Sequence, residues 1–170
     1  LRFGTFSITL TLIPIVVGSA LYGWGSGAWL GFVFGVTVLL TGDANLFLAV
    51  NIPGTIITVI LKGALAGAAA GFVYKLISKK NQIAAVIVSA LVAPVVNTGI
   101  FVLGSYVFFF DYLSGLAEGT NLFVFILVGL VGINFFIELG INLVLNPAIL
   151  QIIRIGKKNF GGKNQIIKTK

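Results

Sequence analysis

The chain has 170 residues, 58% hydrophobic and only 9% charged, with a mean hydropathy of +1.13; a soluble domain is about 25% charged, so lipid must be the solvent for much of this surface. A transmembrane β-barrel is excluded because runs such as 83–96 are apolar on every side rather than alternating. The net charge of +7 reads as positive-inside topology rather than nucleic-acid binding, and the lack of Cys and His excludes a disulfide framework, Cys-ligated metal and His-based catalysis.

Five apolar stretches predict five transmembrane helices in one all-α membrane bundle over residues 1–170: 6–22, 26–41, 46–77, 82–110 and 121–153. The first two are short for a span of about 20 residues, which tilt and snorkelling flanks allow. In the third stretch, Asn51-Ile-Pro53-Gly54 predicts a break, with the helix starting near Thr55. The second stretch repeats glycine at Gly27, Gly31 and Gly35, and the third at Gly63, Gly67 and Gly71. Small residues on one stripe let helices approach closely in lipid. The stripes serve either intramolecular packing or docking of another membrane protein. No internal repeat or inverted half-repeat is visible.

Lysine and arginine set the orientation. Lys75, Lys79 and Lys80 fall between the third and fourth stretches, and residues 154–170 form a basic tail; both are expected to be cytoplasmic. Asp43, Asp111 and Glu118 fall in connections on the other side. Five crossings then leave the N-terminus outside, which suggests a further helix upstream. The chain begins at Leu1 and contains no Met.

Three residues stand out within the apolar stretches: Lys62, Asn97 and Glu138. A charge at the centre of a bilayer costs about 2.5–3.5 kcal/mol, and residues that costly usually mark a substrate or ion path. At 1.5 Å per residue, Lys62 lies about 20 Å, and Asn97 and Glu138 about 24 Å, from the basic end of their helices. All three therefore share the outer half of the membrane. Asn51, Thr55, Thr58 and Lys62 make one polar stripe, and Asn134, Glu138 and Asn142 another, with Asn146 one turn on. Asn97 and Thr98 follow Pro94, which removes a backbone donor.

Each of these has a plainer reading. Lys62 and Glu138 could form a structural ion pair, and Asn97 an interhelical hydrogen bond. Asn142 and Asn146 read as packing residues, and Thr55 and Thr58 as partners of their own helix carbonyls. The aromatic run 106–112 reads as an interfacial belt. Arg2 either belongs to an upstream loop or attracts an anion. No phosphate loop precedes Lys62, and no serine stands beside a base.

The sequence resembles the substrate-binding S component of energy-coupling factor (ECF) vitamin importers. The resemblance is carried by Ile8-Thr-Leu-Thr-Leu-Ile-Pro14-Ile-Val-Val-Gly18, Gly27-Ala-Trp-Leu-Gly31-Phe-Val-Phe-Gly35, Leu61-Lys62-Gly63-Ala-Leu-Ala-Gly67 and Ala93-Pro94-Val-Val-Asn97-Thr98-Gly99-Ile-Phe101, and by residues 134–146. Within the family the pantothenate-type branch is the most similar, with hydroxymethylpyrimidine- and folate-type members as alternatives. The resemblance implies six helices, of which these five match the second to sixth. It implies a prokaryotic plasma-membrane protein that is not an enzyme and carries no cofactor of its own. Its partners would be the vitamin, a transmembrane coupling subunit and two cytoplasmic ATPases that use the ATP. The loaded protein would topple in the membrane to deliver its cargo. Lys62, with Arg2, would balance the pantothenate carboxylate, while Asn97, Asn134 and Glu138 would meet its hydroxyls and amide, with Thr58 and Thr98 as further substrate-binding candidates. Two other functions compete: a self-sufficient ion-coupled transporter using Glu138, and an assembly subunit whose polar stripes only pack.

Overall fold

In the computed structural model, residues 2–3, 6–7 and 12–167 are described, with side chains for 12–132 and 135–158. The architecture is helical. Two two-residue strands, Arg2–Phe3 and Phe6–Ser7, pair antiparallel ahead of the bundle. Helix α1 covers Leu12–Tyr22 and α2 Trp24–Leu40, broken by Gly23 at φ 97°. A short α3, Asn45–Leu48, precedes the two long helices α4, Ile52–Ile77, and α5, Gln82–Phe108. Then come α6, Phe110–Leu116, and α7, Leu122–Val124, which runs into a π-helical segment, Phe125–Gly132. Helices α8, Ile133–Val144, and α9, Asn146–Ile167, complete the described chain.

Asparagine starts both long helices. The Asn51 side chain accepts a hydrogen bond from the Gly54 amide at 2.9 Å, and the Asn81 side chain accepts from Ile83 and Ala84. Each satisfies donors that the first helical turn leaves open. Helix α4 therefore starts at Ile52 rather than near Thr55. Pro53 is the reason it can, because the first turn needs no amide from it. Helix α5 runs unbroken through Pro94.

Helices α4 and α5 are long and apolar enough to cross a membrane. A third crossing arises if Leu122–Gly132 and Phe135–Val144, bent by 43°, form one broken span. Helices α1 and α2 are shorter apolar helices. The fifth stretch is thus no single long helix. Its apolar run supports wide π turns, then a bend, then a stop at Leu145.

The glycine stripes meet each other. A Cβ on Gly31 would strike the Gly63 carbonyl, one on Gly27 the Gly67 carbonyl, and one on Gly35 would lie 2.8 Å from the Val59 carbonyl oxygen. Helices α2 and α4 are therefore antiparallel with backbones in contact, and both stripes are used within the chain. Beside this seam Val16, Ala70, Tyr74, Val86, Ile149 and Ile153 join α1, α4, α5 and α9 in one core. The basic segment from Arg154 begins inside α9, whose Ile149 and Ile153 are buried.

Most of the aromatic side chains in the run 106–112 pack at least partly against the bundle. Phe109 is 2% exposed and gathers Phe47, Phe101, Phe108 and Tyr112 around it. Phe110 does face outward.

Candidate functional site

One pocket of about 300 Å³ opens between α2, the α2–α3 connection, α4, α5, the π segment and α8. Its polar groups are Lys62 from α4, Asn97 and Thr98 from α5, Glu138 from α8 and Asp43 from the α2–α3 connection. Its apolar walls include Phe34, Phe47, Phe101 and Phe135. The volume is at the lower end for small-molecule sites, and the mix of apolar wall with few polar groups is typical of them.

The Lys62 ammonium lies 5.3 Å from the Phe101 ring centroid. The carboxylates of Glu138 and Asp43 line the same pocket. Phe47 meets the Phe101 ring edge-on at 5.5 Å and also meets Phe109 at 5.0 Å. Offset or edge-on aromatic contacts of this kind fix a wall at low entropic cost. Asn97 is buried, and its Oδ1 has no hydrogen-bond partner among the described residues. A buried carbonyl left open in this way costs about 1–3 kcal/mol, which a ligand or water donor would offset.

Asp43 was not anticipated from the sequence. A loop carries no helical stripe, so its direction could not be read from spacing. Gly42, at φ 82°, takes a backbone conformation that favours glycine and turns the chain. The Thr41 hydroxyl donates to Asp43 Oδ2 at 2.8 Å. The pocket thus holds one ammonium and two carboxylates.

The other candidates fall elsewhere. Thr58 is not among the lining residues; it packs over Gly104 where α4 crosses α5, with its Oγ1 unpartnered among the described residues. Thr55 donates to the Asn51 carbonyl at 2.7 Å, one turn back. Asn142 and Asn146 are buried in the packing below the pocket. Arg2 lies in a strand and Asn134 in α8, but their side chains lie outside the described residues. Thr98, Val131 and Phe135 have a second role: they also border an apolar groove of about 760 Å³ between α5 and the π segment, and so part it from the polar pocket.

Comparison with known proteins gives a family. The family model described as ECF transporter, substrate-specific component, matches residues 1–150. No curated protein and no solved structure gave a match. A match over most of the chain, on a helical bundle with two to three membrane-length spans, means that the chain belongs to the ECF transporter substrate-specific component family.

Proposed function

We propose that this chain captures a small water-soluble vitamin from outside the cell and hands it to an energising module made of a transmembrane coupling subunit and two ATPases. As a family member it is a transporter subunit rather than an enzyme. The observation that carries the reading is the gathering of Lys62, Asn97, Thr98 and Glu138 around one pocket in an otherwise apolar bundle. In the proposed topology the chain crosses the plasma membrane five times, with the α4–α5 turn and the basic segment 154–170 in the cytoplasm. Delivery follows by toppling of the loaded protein, for which a largely apolar exterior is a requirement.

Pantothenate is the first ligand proposed. Lys62 balances its carboxylate, and Asn97, Thr98 and Glu138 take up its hydroxyls and amide, with Asn134 and Arg2 as further candidates. Asp43 favours a second reading. One ammonium against two carboxylates leaves a formal charge of −1, which suits a neutral or cationic ligand of the hydroxymethylpyrimidine kind better than an acid. The small volume supports either of these over folate.

Two measurements test this. Mass spectrometry of whatever co-purifies with the chain identifies the ligand, and calorimetric titration compares pantothenate with hydroxymethylpyrimidine. Absence of a bound small molecule, with no heat from either titration, would remove the proposal. Uptake by the chain alone in proteoliposomes, driven by a pH gradient and abolished in Glu138→Gln, would favour the ion-coupled transporter instead.

A further inference from the structure

The end of the bundle away from the pocket carries its own chemistry. Lys75, Lys79, Lys80, Arg154, Lys157 and Lys158 are all exposed there. They form one group, because Lys157 Nζ reaches from α9 to 5.0 Å from the Tyr74 ring centroid on α4. No carboxylate accompanies them. Of the four in the chain, Asp43 and Glu138 line the pocket, Asp111 opens α6 and Glu118 follows it.

Beside the cations lies an exposed aromatic and aliphatic band. Tyr22 is 62%, Trp24 55%, Phe72 55% and Leu76 58% exposed. The band belongs to the same end, because a Cβ on Gly71 of α4 would lie 2.7 Å from Trp24 Cα. Amphipathic aromatics favour the headgroup level of a bilayer, and clustered cations just beyond an apolar span favour anionic lipid.

We propose that this end binds anionic phospholipid headgroups, with Lys75, Lys79, Lys80 and Arg154 as the main contacts and Tyr22 and Trp24 marking the interface. An acidic protein surface would satisfy the cations but not the band, which continues along α4 through the exposed Leu65 and Leu61. Five of the six cations are lysines, compact charges suited to diffuse attraction rather than to bidentate pairing. The inference rests on the membrane embedding of the family and not on the identity of the vitamin.

Trp24 is a built-in reporter, since the chain has only two tryptophans and Trp29→Phe leaves it alone. The protein is reconstituted in bilayers with a trace of pyrene-labelled phosphatidylglycerol or phosphatidylcholine. Energy transfer from Trp24 is expected to be severalfold stronger to the anionic label at low salt. The preference should vanish near 1 M salt, where the screening length falls to about 3 Å, and in the combined variant Lys75→Gln, Lys79→Gln, Lys80→Gln, Arg154→Gln. Equal transfer to both labels at low salt overturns the proposal and leaves the cations to an acidic protein. A preference that survives in the combined variant also overturns it. Vitamin titration on the same samples reports separately on the pocket, so failure of that reading leaves this result intact.

Discussion

The ammonium of Lys62 stands 5.3 Å from the centre of the Phe101 ring, across the contact between α4 and α5. The ring faces it on one side, and the carboxylates of Glu138 and Asp43 share its pocket. Lys62 is therefore oriented before any ligand arrives. A cation–π contact contributes about 0.5–2 kcal/mol depending on desolvation. Phe101→Leu should weaken vitamin binding by roughly five-fold, the equivalent of about 1 kcal/mol. Lys62→Met should weaken pantothenate binding by about 10–100-fold, since a hydrogen bond to a charged group is worth about 1.5–3 kcal/mol. Calorimetry on both variants decides this, and an unchanged affinity in Lys62→Met removes that lysine from the ligand's contacts.

Asp43 separates the two proposed ligands. Its carboxylate repels an acid and attracts a protonated base, each by about 1 kcal/mol at pocket distances in a partly screened site. Asp43→Asn should therefore tighten pantothenate binding by roughly five-fold and loosen a cationic pyrimidine by a similar factor. Titration of both compounds against the same variant gives the sign directly. If neither affinity moves, Asp43 does not face the bound ligand.

The α2–α4 seam predicts a sharp difference between two glycines. In Gly31→Ala the new Cβ meets the Gly63 carbonyl, and overpacking of this kind costs about 1–3 kcal/mol. The midpoint of thermal unfolding in detergent should drop by several degrees. Gly99, inside α5, has nothing within 4 Å of a Cβ. Gly99→Ala should hold or raise the midpoint, because alanine favours helix by up to about 1 kcal/mol. Equal losses from both substitutions would mean that the seam is not closely packed.

Thr58→Val tests a residue that shares the Lys62 stripe but does not line the pocket. The Thr58 hydroxyl is buried without a hydrogen-bond partner among the described residues, so its removal leaves no described group unsatisfied. Stability should stay level or rise by about 1 kcal/mol, and vitamin affinity should not change. A tenfold loss of affinity would return Thr58 to the site.

The two long helices were legible as apolar runs, but the start of α4 was not, because Pro53 sits inside the first turn that Asn51 caps rather than before the helix. The meeting of Lys62, Asn97 and Glu138 was legible for a related reason. A charge or amide inside a lipid-spanning stretch has few stable surroundings other than the bundle interior. Thr58 lies off the pocket because four residues advance a helix by slightly more than one turn, which turns it from the Lys62 side towards Gly104. The π segment was hidden since 125–132 is apolar on all faces and carries no period to read. Asp43 was hidden because a turn at Gly42, rather than any repeat, aims it inward.

One consequence of the glycine seam reaches beyond stability. Two helices whose backbones touch at successive turns cannot slide or separate without losing those contacts together, so α2 and α4 behave as a single rigid slab. Lys62 and Phe34 ride on that slab, whereas Glu138 and Val131 belong to the bent, more loosely wound strip opposite. The slab is thus the regular floor of the pocket, and the strip is the wall with the bent, π-wound backbone.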